Sequence, residues 1–165
     1  MYSAIDISKW FLAKNISESK TNAVDGEYEG ISPLKMQKLL YYAQGIHLAL
    51  HDTPLFKEDI YAWPHGPVVI EVYNEYKHCG SNPIALNIDK NDARIIDALE
   101  NDKNAHESLE LTYDNFAIYT AWQLRNMTHV QGGPWDTITA HRGTNAIIPT
   151  ACIKKYFLDN ILDEN

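Results

Sequence analysis

Cysteine is scarce in this chain: Cys79 and Cys152 are the two in 165 residues, far apart and in no spaced pattern. That excludes a disulfide scaffold and suits a reducing cytoplasm. There is no run of lysine and arginine either. Fourteen basic against 22 acidic residues leave a net charge of −8. A protein that grips nucleic acid needs a basic surface to displace counterions, so direct nucleic-acid binding is not expected. Asp6 and Lys9 interrupt the first apolar stretch, which argues against a signal peptide, and nothing suggests membrane insertion. Missing too are G-x-S-x-G, the P-loop and the dinucleotide fingerprint; Gly132-Gly133 is only a chain breaker. With no long linker, repeat or low-complexity segment, the chain reads as one cytoplasmic domain over residues 1–165. Its length supports one core without metal or disulfide, and no cofactor is assigned.

What the sequence does have is one long helix around which the rest is arranged. Ser32 is a good N-cap and Pro33 suits the first helical position, where its missing N–H has no partner to lose. Met36, Leu39, Ala43, Ile46 and Leu50 follow in steps of three and four. A second apolar row, Leu34, Tyr41 and Leu48, lies nearly opposite the first. A helix apolar on two opposed faces is a buried central one. Two features strain this pattern. Lys35 and Lys38 occupy the first two turns, where the helix dipole disfavours cations, and Gly45 sits mid-helix at about 1 kcal/mol relative to Ala. The lysines are either a solvated pair or the end that meets an acidic partner or an anion. Gly45 lets a neighbouring element approach.

Around that helix the pattern gives a mainly α, compact helical bundle with at most a small two-stranded β element. A first helix over 4–18 is capped by Ser3 and anchored by Trp10 and Phe11, and a polar loop with Gly26 and Gly30 follows. Ile60-Tyr61-Ala62-Trp63 is a brief strand ended by Pro64. Gly66-Pro67 is expected to open a third helix, with Val69, Val72, Tyr73 and Tyr76 inward. A modest helix spans 92–102 and a longer one 113–128, whose row of Ala117, Ala121, Leu124 and Thr128 suits close packing on the central helix. Pro134-Trp135 starts a short helix, Ala146-Ile147-Ile148 pairs with the Tyr61 segment, and Pro149 opens the last helix.

Seven histidines invite an enzymatic reading. His47 and His51 are four apart, but no H-E-x-x-H surrounds them and no carboxylate or Cys stands at a ligand spacing, so no metal is assigned. His78 and Cys79 are sequence neighbours at a helix end and are expected to point in different directions. Trp63, His65, Thr128, His129 and Trp135 all fall at element boundaries and are a set able to converge. In the structural version Thr128 back-bonds to its helix and His129 bonds a nearby carbonyl; in the catalytic version His129 is a general base of a hydrolase or transferase, with no nucleophile to name. Ten Tyr and four Trp favour binding, although most fall on core rows; Tyr41, His65 and Tyr2 fall off them. Residues 89–114 carry eight acids against three bases, either a solvated face or one that steers a basic partner.

The string over residues 34–42 resembles the leading motif of the SocA-like antitoxin family, also called Panacea and formerly known as phage-associated GepA-like proteins. There a helix of the type L-K-L-Q-K-L-L-Y-Y is followed by A-W-x-x-G-P-V, a T-H, a P-W and a terminal I-x-x-Y-F. In this chain they stand as Leu34 and onward, Ala62-Trp63-Pro64-His65-Gly66-Pro67-Val68, Thr128-His129, Pro134-Trp135, and Ile153 with Tyr156-Phe157, in the same order. Many members carry an additional domain, whereas here the shared region is expected to fill the chain. The resemblance implies a non-enzymatic antitoxin that binds and neutralises a toxin encoded beside it; the founding member is an adaptor that delivers its toxin to an ATP-dependent protease. It also leads us to expect the recognition surface at Lys35, Lys38, Tyr41, Trp63, His65, Pro67 and His129.

Overall fold

The computed structural model describes residues 1–21 and 29–162, so the loop around Gly26 lies outside the described residues. The central helix is α2, Pro33–His51, and every residue from Lys35 to Leu48 on it is buried. Its start is as the sequence suggests: the Ser32 hydroxyl accepts from Lys35 N at 3.3 Å, with Pro33 next. Its end is Asp52, a left-handed residue (φ 57°) whose N–H returns to Leu48 O. Leu34 and Leu50, the outermost members of the two apolar rows, are half-buried and exposed.

The other helices wrap this one. Helix α1, Ala4–Thr21, opens on a reciprocal cap in which Ser3 Oγ accepts from Asp6 N and the Asp6 carboxylate from Ser3 N. It runs three residues past the expected end and buries Ile7, Trp10 and Phe11. After the strands come α3, Ile70–Tyr76, a 3₁₀ turn at Lys77–Cys79, α4, Lys90–Asn101, and α5, Lys103–Phe116. Then follow α6, Ala121–Thr128, α7, Pro134–Arg142, and α8, Thr150–Asn160. Helices α5, α6 and α8 pack on α2. The Phe157 ring of α8 fills the space a Cβ at Gly45 would need, so the glycine is there for close approach. Tyr42 stacks on Phe116 at 3.9 Å between centroids, and Phe157 meets Tyr41 and Tyr42 edge-on.

Two expectations are corrected. The helix over 113–128 is two helices: the chain breaks at 117–120, and Thr120 restarts it with a capping box, its hydroxyl accepting from Gln123 N and Gln123 Oε1 from Thr120 N. Helix α5, which packs on α2, buries the small residues Ala105, Ser108 and Thr112. Gly66-Pro67 does not open a helix. Tyr61–Trp63 is strand β1 and Gly66–Val68 is strand β2, paired antiparallel with Trp63 opposite Gly66 and Tyr61 opposite Val68. Proline is compatible there because Pro67 needs no N–H in so short a ribbon. On the other side of β1, Ala62 N bonds Ala146 O and Ile148 N bonds Ile60 O, the pairing the sequence suggests.

The polar residues of α2 bond to backbone from neighbouring segments. Gln44 accepts from Leu55 N and Phe56 N and donates to Phe56 O; Gln37 accepts from Val69 N at 2.8 Å and donates to Val69 O at 3.1 Å. Lys35 Nζ donates to Ala117 O at 2.7 Å, at the broken end of α5, and Lys38 Nζ to Pro67 O at 2.9 Å in β2. Buried backbone groups without a secondary-structure partner each cost about 1–3 kcal/mol if left unmet. Helix α2 meets them from inside, which is why a buried helix carries two lysines and two glutamines.

Candidate partner-binding surface

The β1–β2 hairpin projects from this interior, with Pro64 and His65 at its exposed tip. Proline fixes a negative φ at the first turn position, and Gly66 follows at φ +104°. A side chain at Gly66 would be strained in that conformation and would stand 2.7 Å from Thr128 Oγ1 and 3.0 Å from Lys38 Nζ. The tip is held from both sides. His129 Nε2 faces Pro64 O at 3.2 Å and its Nδ1 faces Arg125 O at 2.7 Å, while Trp135 Nε1 donates to Trp63 O at 2.7 Å. The His129 and Trp135 rings lie 3.7 Å apart. Thr128 Oγ1 donates back to Arg125 O, which ends α6.

The boundary set Trp63, Thr128, His129 and Trp135 therefore converges, as a latch on the hairpin. Both nitrogens of His129 are turned toward carbonyl oxygens, which only accept, so no ring lone pair points outward toward a substrate. Of the other expected surface residues, His65 is exposed, Trp63 half-buried and Pro67 buried. Lys35, Lys38 and Tyr41 lie inside the molecule, so the lysines are not a solvated pair. Tyr2 is half-buried, its hydroxyl donating to Asp102. Burial pushes the Lys38 ammonium down to about 7, and the positive Arg125 nearby adds to this; burial also lowers Lys35, against the pull of Glu29.

Beside the latch lies a face that the continuous 113–128 helix concealed. Once Thr120 resets the helix, Ile118 and Trp122 turn outward, 75% and 56% exposed. The Arg125 guanidinium lies over the Trp122 ring at 5.1 Å, and the His65 ring is 6.0 Å from it. Tyr73, expected inward, is exposed and packs edge-on against Trp63 at 4.9 Å. The signal that could have found this face was T-x-x-Q at Thr120 and Gln123, a capping box inside an apparent helix. The second histidine pair is elsewhere: His47 faces Ser108 Oγ at 2.9 Å, and His51 lies 3.3 Å from the Glu107 carboxylate. Burial, with His51 adding to it, pushes His47 down to about 4. Among the described residues no three His, Cys, Asp or Glu side chains gather as metal ligands.

The acidic stretch is mostly paired within the molecule, although of its acids only Asp92 is buried. Asp92 takes Lys9 of α1, Glu110 takes Lys14, and Glu100 accepts from Trp10 Nε1. Asp89 and Asp102 cap α4 and α5. With Glu107 on His51, six of its eight acids have work inside the fold.

Among the described residues no helix is long and apolar enough to cross a membrane. No solved structure matches the chain. The family model described as "Antitoxin SocA-like, Panacea domain" matches residues 36–136, which run from α2 through the hairpin and latch into α7. A curated relative, Antitoxin SocA of Caulobacter vibrioides (strain NA1000 / CB15N), is 36% identical over 119 residues, 70% of this chain. The match spans 63% of that relative's length. The hairpin, the latch and nearly all of the central helix thus fall within the matched region, and the chain belongs to the SocA-like antitoxin, Panacea domain family.

Proposed function

We propose that this protein is a cytoplasmic antitoxin that neutralises a cognate toxin protein, encoded by an adjacent gene, by binding it directly. Family membership is the observation that carries the reading, together with the relative named Antitoxin SocA. The geometry supports it in two ways. Aromatic side chains at an ordered corner are what protein interfaces use, and this corner is fixed to α2 by buried bonds at Pro67 and Ala117. His129, the residue a catalytic reading needs, has its ring committed to backbone carbonyls.

The test is co-expression with the product of each adjacent reading frame, at controlled ratios. A binding antitoxin restores growth in proportion to its amount and co-purifies with the toxin. Restoration at far below one antitoxin per toxin, with no complex recovered, contradicts the reading and favours turnover. Repeating the assay in a host lacking ATP-dependent proteases separates blocking from delivery, since an adaptor fails there and a blocker does not.

A further inference from the structure

Charge is distributed unevenly in a protein of net −8. From Asn115 to Trp135 there is no Asp or Glu, nor is there one from Ile60 to Ile70, and these two segments build the hairpin corner. The charges the corner does hold are cations. Lys38 lies beneath it with a backbone carbonyl for a partner, and Arg125 lies close enough for the two to repel. Among the described residues no carboxylate pairs with Arg125. Its Nη1 donates to Asn126 Oδ1, and its Nε is buried with no hydrogen-bond partner. A guanidinium half-withdrawn from water, 5.1 Å from the centroid of an exposed indole ring and without a carboxylate partner among the described residues, is a site short of negative charge.

Resting on the antitoxin reading, we infer that the face made by Ile118, Trp122, Arg125 and His65 is where the toxin docks. The segment it takes carries an apolar side chain, laid on Trp122 and Ile118, next to a carboxylate that bonds Arg125. The indole and the guanidinium suit this pair: the ring offers an apolar platform, and the terminal N–H groups of Arg125 that Asn126 leaves free offer donors to a carboxylate, Nε being buried. Charge complementarity selects this occupant over a second copy of the chain, since two copies each carrying −8 repel. It also selects against a basic segment, which would meet Arg125 with like charge.

The experiment uses the whole protein and the toxin identified by co-expression, with affinity measured by calorimetry at two salt concentrations. Trp122→Ala and Arg125→Glu are each expected to weaken binding at least thirtyfold while circular dichroism and melting stay near wild type. Arg125→Lys keeps the charge but loses the fork, and an intermediate loss is expected. Restored binding of Arg125→Glu to a toxin whose docking carboxylate is changed to arginine supports the pairing. Wild-type affinity in Trp122→Ala and Arg125→Glu overturns the site while leaving the antitoxin reading intact. Self-association of the free protein that Trp122→Ala abolishes assigns the face to a second copy and overturns the proposal. Absence of any binding by the wild-type chain overturns both.

Discussion

Two regions of this molecule exchange the roles their composition suggests. The stretch over residues 89–114 has the charge of a partner surface, yet Lys9, Lys14, Trp10, His51 and two helix caps absorb most of its carboxylates. The hairpin corner reads as packing and helix termini, yet it exposes Ile118, Trp122 and Tyr73 over a hidden lysine. The difference teaches that charge in sequence marks a surface only when the fold leaves that charge unpaired. On α4 and α5 the acids hold α1 in place. At the corner Lys38 and Arg125 bond neutral oxygens, and among the described residues no carboxylate pairs with either.

The comparison is most sharply tested at Lys38. Its folded ammonium titrates near 7, below the usual lysine range, so between about pH 7 and 10.4 the unfolded chain holds a proton that the fold does not. Stability therefore rises with pH across that interval by on the order of 4–5 kcal/mol from this group, and the penalty of the buried charge is fully present below it. Urea unfolding of wild type and Lys38→Met at steps from pH 6 to 10 should show the rise in the first and a flat difference in the second. A parallel pair of curves would mean that the ammonium is not desolvated.

Next in size is Gly66→Ala, which places a methyl against Thr128 Oγ1 and Lys38 Nζ at a positive φ. A loss of about 2–3 kcal/mol by urea unfolding is expected, together with weakened toxin binding because the tip shifts. On the acidic side, His47 stays neutral down to about 4, whereas the unfolded chain protonates it near 6.5. Stability should fall as pH drops from 6.5 to 4, by about 2 kcal/mol from this group, and His47→Gln should remove that slope. The smallest effect belongs to Asp97 and Asp114, the two carboxylates of the stretch without such work. Asp97→Asn with Asp114→Asn should change stability by less than about 0.5 kcal/mol and leave toxin affinity unaltered.

Much of the fold was legible because its signals are local. Ser32-Pro33, the two apolar rows of α2, Gly45 and the pairing of the Tyr61 segment with Ile147 needed only spacing and residue type. The errors came where a local signal lost to a longer-range one. Gly66-Pro67 is good helix-opening chemistry, but Lys38 and Gln37 hold that backbone as a strand from below. Apolar spacing carried the 113–128 helix across Thr120, where the cap and Lys35 on Ala117 O divide it. In the sequence Lys35 and Lys38 are cations at the wrong end of a helix. Their destination was invisible, because a sequence shows donors but not the orphan carbonyls that await them. The outward turn of Trp122 is invisible in the sequence for a similar reason: its orientation depends on where α6 begins.

Hydrogen–deuterium exchange of the free chain and of its complex with the toxin compares the two regions in one measurement. The account predicts new protection over residues 115–131 and 61–68, with 89–112 unchanged. Protection confined to α4 and α5, with the hairpin corner exchanging as in the free protein, would contradict it.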